Sequence, residues 1–201
     1  MPGAPSIILA TDNVNKSKEI LAVVGDLPFS FKTLRDYPGF PRTVEDGKTL
    51  RENAVKKSIE AALALGAWAL ADDTGLEVEA LDGAPGIHSA RYAGDECDFN
   101  KNNLKLLDAL RGVEPEKRKA IFRCVLALCS PQGQVVTVEG AIEGRITAGF
   151  SGDRGFGYDP VFFVPSLNKT LAQMSFEEKN KMSHRWSAAR KIRPYLENLI
   201  R

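Results

Sequence analysis

The chain has 201 residues, 43% of them hydrophobic and 26% charged, and its 27 Lys+Arg against 26 Asp+Glu leave a net charge of +1. That length fits one large domain or two lobes of one unit, and the even charge balance removes any global electrostatic case for a nucleic-acid or membrane partner. Cys97, Cys124 and Cys129 form no CxxC and no even framework, so they read as reduced thiols of a cytosol-like compartment. The only histidines, His88 and His184, build no cluster with them; zinc is disfavoured, and any metal here should be held by oxygen.

Met1 to Pro5 reads as a short tail, and Ser6 to Ala10 as a buried strand too short for a signal segment or a membrane span. Thr11-Asp12-Asn13-Val14-Asn15-Lys16 follows as a polar loop. Ile20, Leu21, Val23 and Val24 then make a helical stripe ending at Gly25. A strand, a loop and a helix start leave backbone N–H groups that suit phosphate. Asn13 can cap, and Lys16 adds a point charge. An ordinary capped helix of an α/β unit fits these residues equally well.

Phe29 to Leu34 alternates like a second strand. Arg35 to Asp46 is a loop with one notable acid, Glu45. Gly47-Lys48-Thr49 is not the end of a P-loop, because the required earlier glycine position holds Arg42. Thr49 and Glu52 form a capping box. It opens a helix to about Leu65, with Leu50, Ala54, Ile59, Ala62 and Leu63 inward and Gly66 as its C-cap. Lys56, Lys57 and Glu60 fall on the solvated face, where one lysine can turn into a cleft.

Ala67 to Ala71 reads as a buried strand that stops on Asp72-Asp73-Thr74-Gly75, a turn that Gly75 permits, before a half-buried strand resumes at Leu76. Buried carboxylates need a positive partner, and the simplest for an acid cluster is a hard cation such as Mg²⁺. Successive side chains on a strand point to opposite faces, so one acid can face a metal while the other braces the turn. An Asx-turn that merely ends the strand is the alternative.

Asp82 to Tyr92 is a loop rich in Gly and Pro, with Arg91 as a candidate anion ligand and His88 as a surface or packing residue. Asp98 caps a helix carrying Leu104, Leu106, Leu107 and Leu110. Ala120 to Ser130 and Gln134 to Ile142 form a hairpin that suggests a sheet extension or an interface. In Gly149 to Pro160, four glycines surround Phe150, Phe156, Tyr158 and Asp159. Such a loop lets backbone approach a ligand closely, and an exposed Phe156 offers a face to a nucleobase; a flexible tip packed on the core is the alternative. Val161 to Val164 is a buried strand. Ser175 with Glu178 makes a second capping box, and Ser183 starts a last helix that Pro194 should kink. His184 and Arg185 fall in its first turn, where cations oppose the helix dipole, a hint that they serve a ligand. These elements make an α/β unit, read as two lobes around a cleft.

Four stretches taken together, Thr11-x-Asn13-x-x-Lys16-x-x-Glu19, Ala71-Asp72-Asp73-Thr74-Gly75-Leu76, Gly155-Phe156-Gly157-Tyr158-Asp159-Pro160 and Ser183-His184-Arg185, resemble the inosine/xanthosine triphosphate pyrophosphatase family. The likeness runs from Ile7 to about Leu199. It implies an elongated mixed twisted sheet flanked by helices in two lobes around a central cleft, one domain over 1–201, and a cytoplasmic homodimer. It also implies Mg²⁺-dependent cleavage of deaminated purine nucleoside triphosphates (ITP, dITP, XTP) to monophosphate and pyrophosphate. By position, Thr11, Asp12, Asn13, Val14, Asn15 and Lys16 match the family's phosphate loop. Glu45 matches a metal-binding acid, and Asp73 a metal ligand and general base. Lys57 and Thr74 match the phosphate path; Phe156, Gly157, Tyr158, Asp159, Lys179, His184 and Arg185 match the base and sugar pocket. Asp12 and Asn15 stand where many relatives carry glycine, and Thr74 where many carry serine. A non-catalytic nucleotide sensor, or a phosphatase for other nucleotides, remains the rival reading.

Overall fold

The computed structural model describes residues 5–200; the expected tail at Met1–Ala4 lies outside them. In chain order the elements are β1 (Ser6–Leu9), α1 (Val14–Val24), β2 (Ser30–Thr33), α2 (Leu50–Leu65), β3 (Trp68–Val78), β4 (Pro85–Gly86), α3 (Phe99–Ala109), β5 (Lys119–Cys129), β6 (Val135–Ile146), β7 (Phe162–Val164), β8 (Lys169–Thr170), α4 (Phe176–Lys179) and α5 (His184–Asn198). Among the described residues, eight strands form one mixed sheet in the order β2-β1-β3-β5-β6-β7-β8, with β4 paired to β3. β1 runs parallel to β2 and β3, while β3 with β4, β6 with β7 and β7 with β8 are antiparallel. The fold is α/β. Among the described residues no helix is long and apolar enough to cross a membrane.

The chain divides into two compact units. The first runs to Asp73 and takes in Cys124–Gly140 and the chain from Arg185 on; the second comprises Thr74–Arg123 and Ala141–His184. In the first unit Ile7, Leu9 and Leu70 of β1 and β3 bury with Ile20, Val24, Ala188 and Ile192, while Ile8, Ala69 and Ala71 bury with Ala61 and Ala62 of α2. β1 thus has apolar neighbours on both faces, which is why it reads as a continuous apolar run. The second unit buries Leu76, Val78, Leu106, Phe122, Tyr158, Phe162 and Leu171 together.

Several local expectations need correction. Asp72 to Gly75 is not a turn: β3 continues unbroken through all four residues to Val78, and Leu76 and Glu77 pair with Gly86 and Pro85. Gly75 is not among the residues of positive φ. Carboxylates are tolerated inside this strand because cationic side chains from other elements meet them. The Thr49 capping box is half formed: Thr49 Oγ1 accepts from the Glu52 N–H, but Glu52 Oε2 takes the N–H of Lys48 instead. Leu63, read as inward, is 56% exposed, and Leu104 of α3 is 58% exposed. The buried positions of α2 are Leu50, Asn53, Ala54, Ser58, Ala61 and Ala62, and those of α3 are Asn102, Asn103 and Leu106, each a stripe at three- and four-residue spacing that admits polar residues. β5 and β6 carry the sheet on from β3, with β5 between β3 and β6 and buried from Cys124 to Cys129. The Ser175–Glu178 capping box is complete.

Candidate active site

Three elements of the first unit bring charged groups together. β3 presents Asp73, the α2 helix presents Lys57, and the irregular loop before α2 presents Glu45. Lys57 Nζ lies 2.6 Å from Glu45 Oε1 and 3.2 Å from Asp73 Oδ1, with side-chain exposures of 11%, 29% and 9% for the three residues. Asn53, one turn before Lys57 and fully buried, donates from Nδ2 to Asp73 Oδ2 at 3.2 Å. Burial pushes the Asp73 carboxyl above its ordinary range and the charges of Glu45 and Asp72 add to the rise, against the opposing pull of Lys57 and Lys16. Lys57 shows the complement. Burial alone would lower its ammonium, but Asp73, Asp72 and Glu45 outweigh that and raise it.

Asp72, next along the strand, meets different partners. Its carboxylate is fully buried, with Lys16 Nζ at 3.0 Å and Arg185 Nε at 3.5 Å. The Arg185 guanidinium also bonds Glu19 of α1, and both of those side chains are buried. Burial alone would raise the Asp72 carboxyl, yet Lys16, Arg185 and Lys57 hold it well below the usual carboxylate range. Alternation along β3 therefore separates a carboxylate locked as an anion from one whose charged state is disfavoured. The positive charge at the start of α5 is answered by internal acids.

Asn13 caps α1, its Oδ1 accepting from the N–H groups of Asn15 and Lys16 at 3.0 and 3.2 Å. Thr11 Oγ1 accepts from the Asn13 N–H, and Arg35 donates to the Asp12 carbonyl. Val14 and Asn15 begin the helix and are exposed, as is Asp12. Neither Asp12 nor Asn15 takes a positive φ, so this loop needs no glycine at either position. The N–H groups of this first helix turn carry the positive end of the helix dipole, and Lys16 beside them is paired with Asp72.

In the second unit, the Gly149 to Pro160 loop is built around Asp159. The Phe156 N–H donates to Asp159 Oδ2 at 2.8 Å, and Lys179 Nζ lies 2.5 Å from the same oxygen. Gly155 has φ +74, and a Cβ there would stand 2.1 Å from Asp159 Oδ2; the glycine makes this close approach possible. Lys179 sits 4.6 Å from the centre of the half-buried Phe156 ring, a cation–π contact. Tyr158 is buried and donates to the Ser89 carbonyl, and the Gly157 carbonyl accepts from Asn103. His184 stacks on Phe122 at 4.7 Å with 15° between the rings. Thr74 is half-buried on β3.

The residues singled out in the sequence thus fall into two groups, each within one unit: Thr11 to Lys16, Glu45, Lys57, Asp73 and Arg185 in the first, and Thr74, Phe156 to Asp159, Lys179 and His184 in the second. Sequence reasoning passed over Asn53 and Phe122. A signal existed for Asn53: it lies on the inward stripe of α2, four residues before Lys57. Phe122 gave none, because an aromatic in an apolar strand reads as core. Among the described residues no group of three or more His, Cys, Asp or Glu is placed to hold a metal ion. Two carboxylates are enough for a Mg²⁺ that keeps most of its water. The Lys57 ammonium between Glu45 and Asp73 shows that a cation suits the place, so these residues fit such an ion.

The Ham1 family model matches residues 7–195. A dITP/XTP pyrophosphatase from Desulforamulus reducens is 45% identical over 96% of this chain and 96% of its own length. Another from Geobacter sulfurreducens is 47% identical over 94% of this chain and 96% of its own. Among solved structures, the Staphylococcus aureus Ham1 protein superposes with a TM-score of 0.86 at 39% identity, covering 96% of this chain and 99% of that one. A HAM1 protein from Coxiella burnetii gives 0.88 at 37% identity over the same shares. By family model, sequence and fold alike, the chain belongs to the Ham1 family.

Proposed function

We propose that the protein hydrolyses deaminated purine nucleoside triphosphates (ITP, dITP and XTP) to the monophosphate and pyrophosphate with Mg²⁺, removing them from the nucleotide pool. The observation that carries this is the meeting of Glu45, Lys57 and Asp73 from three separate elements, a set that a passive nucleotide sensor has no need to keep. Relatives named dITP/XTP pyrophosphatase at 45% and 47% identity support the substrate class.

Glu45 and Asp73 would hold the cation. When bound there, it supplies charge neutralisation for triphosphate oxygens and polarises water. Asp73 orients the attacking water and takes its proton. A bond forms from the water oxygen to the α-phosphorus, the α–β bridging bond breaks, and pyrophosphate leaves with the electron pair. Lys16 and Lys57 offset the charge that develops on it; Thr11 to Asn15 and Thr74 bind phosphate oxygens. Phe156 stacks on the base, with Gly157 and Tyr158 shaping that loop and Asp159 fixing Lys179. His184 and Arg185 donate to the base. Arg185 is donor-only, so it pairs with a 6-carbonyl and meets the amino group of adenine unfavourably. The two units are taken as lobes of one domain, in a cytoplasmic homodimer without nucleic-acid partners.

The test is product analysis of purified protein in Mg²⁺ with ITP, dITP, XTP and ATP side by side. Pyrophosphate from the keto-purines, with ATP spared, is expected. Release of orthophosphate would indicate a phosphatase instead, and binding without turnover a sensor.

A further inference from the structure

The amide of Asn53 ties two segments together. Its Nδ2 donates to Asp73 Oδ2 at 3.2 Å, while its Oδ1 accepts from the backbone N–H of Gly47 at 2.8 Å. Only a side chain with both a donor and an acceptor can do this, and Asn53 is fully buried on α2. Gly47 follows Glu45 by two residues. A Cβ at Gly47 would lie 2.6 Å from Asn53 Oδ1 and 2.8 Å from Glu52 Cβ. Gly47 is not among the positive-φ residues, so its glycine serves close approach and not a turn.

We propose that Asn53 is a positioning residue that sets the two metal-binding carboxylates for a divalent cation. It deepens the metal reading above and rests on it. Asp73 sits on a buried strand, whereas Glu45 rides on an irregular loop that Thr43 and Asp46 tie to Glu60 and Lys56 of α2, and the Gly47–Asn53 bond ties that loop to the residue that also holds Asp73. Lys57 joins the two acids through Glu45 Oε1 and Asp73 Oδ1, and an arriving cation competes for those same oxygens. Asn53 uses the other oxygen of Asp73. Its bonds can persist when Lys57 gives way, leaving Oδ1 turned toward the cation and the Glu45 loop in place. Neighbouring groups that orient metal ligands commonly change metal affinity by about 10–100-fold when removed.

The experiment measures Mn²⁺ binding by the full chain without nucleotide, from the loss of the free-ion resonance signal, together with competition by Mg²⁺ and thermal melting in chelator. Asn53→Ala should weaken Mn²⁺ binding by about 10–100-fold. Gly47→Ala should shift it the same way, since its methyl would push Asn53 aside while leaving every charge intact. If Asn53→Ala fails to fold, Gly47→Ala decides. Variants that melt earlier in chelator yet bind Mn²⁺ like the wild type would show a merely structural role and overturn the inference alone. A wild-type protein that binds no Mn²⁺ would overturn the metal reading and this inference with it.

Discussion

Replacing Lys57 by Met exposes the electrostatics of the site most sharply. Its Nζ is 2.6 and 3.2 Å from two carboxylates whose side chains are 29% and 9% exposed. Deleting one partner of a fully buried ion pair costs about 3–5 kcal/mol. Glu45 retains enough solvent contact to screen part of that, so a loss of about 2–3 kcal/mol is expected here. At about 2–4 °C per kcal/mol for a chain of this size, the metal-free variant should melt about 4–12 °C below the wild type. The sign reverses for metal. If Glu45 and Asp73 hold a divalent ion, that ion must displace the Lys57 ammonium in the wild type, and in Lys57→Met this one competitor is gone. Added Mg²⁺ should therefore raise the melting temperature of the variant more than that of the wild type, with tighter binding adding about 1.4 kcal/mol for each tenfold fall in Kd at saturating metal. Turnover should still drop, because the departing pyrophosphate loses one cation. Differential scanning fluorimetry with and without Mg²⁺ reads all but the last point. A variant as stable as the wild type in chelator, or one stabilised less by Mg²⁺, would refute the reasoning.

Asp73→Asn keeps the size of the side chain but removes the proposed base and metal-binding carboxylate; turnover of ITP should fall by at least about 10²-fold, read by pyrophosphate release, and near-normal turnover would remove Asp73 from its role. Asp72 is held below its ordinary 3.8, so it contributes stability that is present above that value and lost as pH falls through its folded-state value. Asp72→Asn should be less stable at neutral pH and should lose less further stability on acidification than the wild type, measured by urea unfolding at stepped pH; parallel curves would contradict this. Arg185→Lys keeps a cation beside Glu19 and Asp72 but loses the planar fork. The ITP-to-ATP ratio of kcat/KM should narrow, and an unchanged ratio would take Arg185 out of base selection. Gly155→Ala forces a methyl onto Asp159 at a positive φ, so KM for ITP should rise through the displaced Phe156 and Lys179, and an unaltered KM would detach that loop from binding.

Much of the fold was legible because short-range physics decides it. Asn13, Thr49, Asp98 and Ser175 all cap the helices they precede, and the apolar run of β1 marks a strand covered on both faces. The errors arose where tertiary partners override local signals. Two aspartates and a glycine resemble a turn, yet Lys16, Arg185, Lys57 and Asn53 let β3 run straight through them. Leu63 is apolar enough to be read as core, yet it is exposed, while the polar Asn53, Asn102 and Asn103 are buried. At the site, the chemistry of each side chain was visible but its partner was not: nothing local says that Glu45 meets Lys57 or that Arg185 meets Glu19, because those contacts join segments distant in the chain.

Attack of water on the α-phosphorus of a keto-purine triphosphate, as proposed for Asp73, leaves the solvent oxygen on the monophosphate. Hydrolysis of ITP in ¹⁸O-labelled water, followed by mass spectrometry of both products, tests it most directly. The label should enter the inosine monophosphate and leave the pyrophosphate unlabelled. Label in pyrophosphate, or orthophosphate as the released product, would contradict it.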